Sequence, residues 1–164
     1  LTFWFILENL KTNKFSININ NHFLNIFFIT IIIQIILGAF LAGLNGGLLY
    51  NSWPDMNGSF IPDDTIKTDL YNLESLNNAS VIQFYHRLVA YILILFLIIL
   101  NYFFYKNKIE LKPIIFFNFA ILFQVILGIV TLITGVKIYY ASLHQLGSVF
   151  VLSSFLFIYY KNTN

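Results

Sequence analysis

Cysteine is absent from this chain of 164 residues. Disulfides, thiolate ligands, zinc–thiolate sites and iron–sulfur clusters are therefore excluded as its means of construction or chemistry. Charge is almost as scarce. Asp, Glu, Lys and Arg make up 10% of the residues, and a net charge of +2 gives no reason to expect a nucleic-acid partner. A soluble domain of this length needs a far more polar surface. What fills the chain is apolar: 59% hydrophobic residues, 19 of them Phe. The first residue is Leu1 rather than Met and no signal-peptide layout follows, which reads as a fragment or a chain lacking an upstream portion.

Four stretches are long enough to cross a bilayer, which takes about 20 apolar residues at about 1.5 Å rise each. They run from about 22–44, 80–105, 113–135 and 138–160, with a long connection at 45–79. Backbone groups in lipid must pair internally, so the spans are helices. The expected fold is an all-α polytopic membrane protein, a single four-transmembrane-helix bundle over residues 1–164. Lys11 and Lys14 precede the first span, Lys106, Lys108 and Lys112 join the second to the third, and Lys161 follows the fourth. The long connection carries Asp55, Asp63, Asp64, Asp69 and Glu74 against Lys67. The positive-inside rule then puts both termini on the cytoplasmic or matrix side and the long loop outside. Tyr50, Trp53, Tyr139 and Tyr140 fall at the outer level, as an aromatic belt does.

The spans repeat in pairs. Gln34-Ile35-Ile36-Leu37-Gly38 in the first span matches Gln124-Val125-Ile126-Leu127-Gly128 in the third. Each is followed by a span with a histidine near its start, His86 in the second and His144 in the fourth. The expected bundle is thus two repeated helix pairs about an approximate two-fold axis along the membrane normal. Both histidines fall about six residues into their spans, roughly 9 Å below the outer interface. Gly38 and Gly128 reach the same level, where small residues let backbones approach or leave room for a flat ring.

An ionisable side chain inside a membrane helix is costly and usually functional. Two neutral imidazoles at equal depth, facing each other across a bundle, are what a haem iron takes as axial ligands. Arg87, beside His86, is placed to pair with a haem propionate or to snorkel to lipid phosphate. Plainer readings exist for each feature: histidines that only bridge helices, glycines that only pack them, and Gln34 and Gln124 as interhelical hydrogen-bond partners. In the loop, glycines, prolines and Asn-Gly steps imply defined turns. Leu48, Leu49, Trp53, Phe60 and Ile61 would be costly to expose, so the loop is expected to fold back as a lid.

The loop run Ala42-Gly43-Leu44, Gly47-Leu48, Tyr50-Asn51, Trp53-Pro54, Met56, Gly58 and Ile61-Pro62 resembles the signature outer loop of haem A synthases. Gln83-Phe84-Tyr85-His86-Arg87 resembles that family's Gln-Phe-x-His-Arg motif, and Ala141-Ser142-Leu143-His144-Gln145 its Ala-x-x-His-Gln motif. Together with the segment at 124–132 these cover most of residues 30–155 in the family's order. The likeness is to the alphaproteobacterial and mitochondrial type, which also lacks the loop cysteines.

The resemblance implies the carboxyl-terminal half of an eight-helix protein built from two homologous four-helix halves. It implies that His86 and His144 ligate a haem b that serves in electron transfer, within an inner membrane. The amino-terminal half would hold the substrate haem O, whose C8 methyl is oxidised to a formyl group with water as oxygen source. That half carries a Glu-containing helix motif that has no match here; Glu8, Glu74 and Glu110 are expected outside the helices, and no catalytic residue is identifiable in this half. A haem O synthase and an electron donor would be its partners, and a stand-alone half would pair with another chain or with itself as a homo-oligomer. The rival readings are a b-type membrane cytochrome in quinone-linked electron transfer and a haem-free membrane assembly subunit.

Overall fold

A computed structural model describes residues 2–9, 13–16, 19–64 and 72–162. Lys11, Lys67 and Asp69, used above for orientation, lie outside the described residues. Five α-helices are present among the described residues: α1 (Thr2–Asn9), α2 (Asn21–Gly43), α3 (Ala79–Lys106), α4 (Lys112–Ile133) and α5 (Ile138–Asn162). Short 3-10 turns at Gly46–Leu48 and Leu73–Asn77 punctuate the long loop. No strand occurs among the described residues beyond an isolated bridge between Met56 and Ser59.

Helices α2 to α5 are each long and apolar enough to cross a membrane, with mean hydropathies of 2.6, 2.4, 2.4 and 1.6. The chain is an all-α, polytopic membrane helix bundle. Helix α1 was not expected, and it contains Glu8, which the sequence reading placed outside any helix; Glu74 lies in the second 3-10 turn. Eight residues are too few to show a span, and α1 owes its helix to packing against α5 rather than to its own length.

Local chemistry sets the helix ends. Asn20 Oδ1 accepts from the His22 and Phe23 amides at the start of α2, and Asn78 Oδ1 accepts from Ser80 and Val81 at the start of α3. Helix α4 carries Pro113 in its first turn, where a missing amide proton costs nothing. It ends on Gly135 at φ 72°, with Val136 N donating to Thr131 O (2.8 Å) and Gly135 N to Leu132 O (3.1 Å), a Schellman closure. This tight turn sends α5 straight back along α4.

Helix α2 packs mainly on α3, and α4 mainly on α5, so the two repeated pairs are also the two packing units. Phe27, Phe104, Phe117 and Phe155 are fully buried, one from each spanning helix, with Phe27 centroids 5.0 Å from Phe155 and 5.6 Å from Phe117. This phenylalanine core sits toward the end that carries Lys14, Lys106, Lys112 and Lys161, called here the lysine end. Asn101 and Asn118 add a reciprocal amide pair (2.8 and 2.7 Å) between α3 and α4. At that end Asn162 bonds both main-chain groups of Ile19 (2.5 and 3.0 Å), and Lys161 pairs with Glu110 at 2.6 Å. Toward the other, loop end, the first buried residue of α5 is Val151, so the buried core stops short of both histidines.

Candidate functional site

Helices α3 and α5 both start at the loop end, and their histidines follow at nearly equal depth. His86 is seven residues after Ala79 and His144 six after Ile138, or roughly 9–11 Å into the bundle. The structure brings the two rings face to face: their centroids are 6.5 Å apart and their planes cross at 79°. The geometric condition behind the sequence reading is thus met in position and in level.

Each ring nests against a glycine of the other helix in its own pair. A Cβ at Gly38 would stand 3.2 Å from His86 Cε1, and one at Gly128 would stand 3.0 Å from His144 Cε1. The repeat glycines therefore make room for imidazole edges. The repeat glutamines flank the same rings. Gln34 Nε2 lies 3.3 Å from His86 Nε2, while Gln124 Nε2 donates to the His144 main-chain oxygen at 2.8 Å. Both histidine Nδ1 atoms and the Oε1 atoms of Gln34, Gln83 and Gln124 are buried with no hydrogen-bond partner. Buried polar atoms are normally satisfied, so a cluster of orphans at one level marks a site prepared for something further.

Two imidazoles on opposite sides of one metal, with metal–nitrogen bonds of about 2.0–2.1 Å, have ring centres about 6.3 Å apart. The observed separation fits that arrangement. Among the described residues no group of three or more His, Asp or Glu could hold a metal ion. A two-imidazole site therefore suits a metal that brings its remaining ligands with it.

Arg87 is partly buried and turns to the loop. Its Nη1 donates to Asp55 O (2.6 Å) and its Nη2 to Tyr50 O (3.0 Å). Guanidinium has five donors, so part of its capacity is left for an anion. Gln83, buried, adds a bond to the same Tyr50 O at 2.9 Å. The Tyr50 hydroxyl lies 2.6 Å from Asp63 and 2.8 Å from Asp64, and Ser80 donates to Asp64 at 2.6 Å. Burial, then the two carboxylates, push the Tyr50 hydroxyl far above its ordinary pKa. The Ser52 hydroxyl, the Gly58 amide and then Arg87 hold the Asp55 carboxyl below its ordinary value.

This polar network, not apolar burial, ties the loop to the bundle. Leu48, Leu49, Trp53, Phe60 and Ile61 are exposed, contrary to the expectation that they would be buried. Tyr50 and Met56 are the residues the loop buries, and Phe60 stacks on Tyr91 at 6.4 Å. Tyr50, Gln83, Ser80, Asp63 and Asp64 were not singled out as a group from sequence. Gln83 stood inside a quoted motif, but nothing local in the sequence signals a bond to a residue 33 positions away.

These features define a membrane helix bundle of two repeated pairs with a facing histidine pair under a tethered loop. A family model described as COX15-CtaA, cytochrome oxidase assembly protein, matches residues 1–156. The chain belongs to that family. It is 56% identical over its whole length to a protein named heme A synthase from Pelagibacter ubique, covering 49% of that protein. It is 35% identical over 90% of its length to a heme A synthase of Wolbachia pipientis, covering 41% of it. It is 42% identical over 80% of its length to one of Rickettsia felis, covering 40% of it. The chain thus spans about half the length of these relatives. No solved structure matches it.

Proposed function

We propose that the chain is the haem b-holding half of a haem A synthase, with His86 and His144 as the two axial ligands. The facing pair, 6.5 Å apart on repeat-related helices, is the observation that carries the reading. Two histidines suffice because a porphyrin supplies the other four nitrogens of its iron. Haem bound there supplies reversible one-electron chemistry.

The chain's own residues do the rest. His86 and His144 fill both axial positions, which keeps substrate and oxygen off that iron. Gly38 and Gly128 admit the ring edges, and the tethered loop with the apolar bundle limits water. Arg87 holds the loop and has donors left for a carboxylate at the loop end. Oxidation of the haem O methyl group to a formyl group belongs to the whole protein, of which this chain matches about half. By the lysine distribution, the loop end faces outward and the lysine end the cytoplasm or matrix, in an inner membrane.

A reduced-minus-oxidised spectrum of the purified protein tests the cofactor. A b-type alpha band that disappears in His86→Ala and His144→Ala is the expected result; well-folded protein without haem overturns it. Cells lacking the parent gene are expected to accumulate haem O, and an unchanged haem A level would contradict the synthase assignment.

A further inference from the structure

We propose that Gln34 is a positioning residue for His86, fixing which of its two nitrogens is open to a metal. The inference deepens the haem reading and rests on it for its functional meaning. The Gln34 side-chain amide nitrogen stands 3.3 Å from His86 Nε2. An amide NH2 only donates, so Nε2 is the bare nitrogen and the ring proton sits on Nδ1. The Gln34 main-chain carbonyl bears on the same ring. It does so one turn before Gly38, where the missing Cβ lets the Nδ1–Cε1 edge approach the helix.

The carbonyl also selects the amide's orientation. A flipped amide would face two acceptors toward a neutral ring that has one proton to give. With the NH2 group on Nε2 and the carbonyl beside Nδ1, every partner is matched. Nδ1 makes no full hydrogen bond as it stands, so a slight turn of the ring closes the contact. Gln34 thus addresses both nitrogens: its carbonyl draws the Nδ1 proton and its amide keeps the Nε2 lone pair free of one. In metal-ligating histidines the partner of the second nitrogen sets the tautomer in just this way.

The repeat is broken here. Gln124 spends its amide on the His144 main-chain oxygen, and only its main-chain carbonyl bears on the His144 ring. His86 is held at both nitrogens and His144 at one.

The test is nitrogen-15 magnetic resonance of the histidine-labelled full chain in lipid without haem, with His86 assigned by its loss in His86→Gln. The Nδ1–H tautomer is expected at His86. Gln34→Leu is expected to raise the Nε2–H form about three- to tenfold, the worth of one hydrogen bond. Gln34→Glu, whose carboxylate accepts a proton from Nε2, shifts the balance the same way and further. Gln124→Leu is expected to leave His144 unshifted. An Nε2–H tautomer at His86 in the unmutated chain overturns the proposal, with no variant needed. So does an unchanged ratio in Gln34→Leu, or an equal shift at His144 in Gln124→Leu. Because haem is not in the sample, a protein that fails to take haem sinks the cofactor reading separately, and the tautomer result still decides this one.

Discussion

Gly38 and Gly128 act through the atom they lack. Each leaves a gap that an imidazole edge fills, and an added Cβ at position 128 would sit 3.0 Å from His144 Cε1, against 3.2 Å for His86 at position 38. Contacts that short force the ring to shift by a few tenths of an ångström, which is enough to spoil ligation of a metal held between two rings. Alanine is also the better helix former, by about 1 kcal/mol. Gly128→Ala is therefore expected to leave thermal stability within about 1 kcal/mol of the unmutated chain. Haem affinity should fall about tenfold, which is about 1.4 kcal/mol, with a smaller loss for Gly38→Ala. Haem titration followed by absorbance, beside a melting curve, measures both; an undiminished affinity at position 128 would show that the ring has room to spare. The sequence places these glycines at the histidines' depth. It gives no side-chain direction, so it leaves open whether they face a flat cofactor, a helix or an imidazole. The same gap hides the use of Arg87, whose two loop carbonyls lie 32 and 37 residues away.

At the scale of elements, the spanning helices are the most legible part, because lipid forces long apolar runs to be helices. Their ends differ by a residue or two from the hydropathy limits, since the caps are set by Asn20 and Asn78 rather than by apolar residues. The long loop is less legible. Exposure of Leu48, Leu49, Trp53, Phe60 and Ile61 was judged by its cost in water, but beside a bilayer such residues meet the membrane interface, where aromatic rings are favoured. The loop is held instead by Arg87, Gln83 and Tyr50. Arg87→Ala removes two charge-assisted bonds and is expected to destabilise the loop by about 2–4 kcal/mol. Limited proteolysis should then cut within residues 45–64 faster than in the unmutated protein, while Arg87→Lys recovers part of the protection. Equal resistance in Arg87→Ala would place the tether elsewhere. At the lysine end, the Lys161 hydrogen bond holds the Glu110 carboxyl below its ordinary pKa. A lowered folded-state pKa means that the pair stabilises above the usual carboxylate range, and that this contribution is lost as pH falls through the folded value. Melting temperature should decline more between pH 6 and pH 3 than in Glu110→Gln, with the two proteins converging at the acid end; parallel curves would mean the pair contributes nothing.

The whole molecule divides its work along the membrane normal. Phenylalanines from all four spanning helices close the lysine end, and the histidines, glycines and glutamines keep the loop end open around two rings. Such a division has meaning only if each end faces a definite side, and the uneven lysines supply the bias: Lys14, Lys106, Lys108, Lys112 and Lys161 lie at one end, with Arg87 and Lys137 toward the other. Acidic residues count for little in that rule, so the Asp-rich loop neither helps nor hinders. The missing cysteine makes the orientation directly measurable, because any single introduced thiol is the only one in the chain. Asn57, exposed in the loop, and Asn13, exposed before α2, report on opposite ends. With sealed cells, a membrane-impermeant maleimide is expected to label Asn57→Cys at once and Asn13→Cys only after the membrane is opened. The reverse pattern would put the histidine pair near the inner face, and electrons would then have to reach it from the cytoplasmic or matrix side.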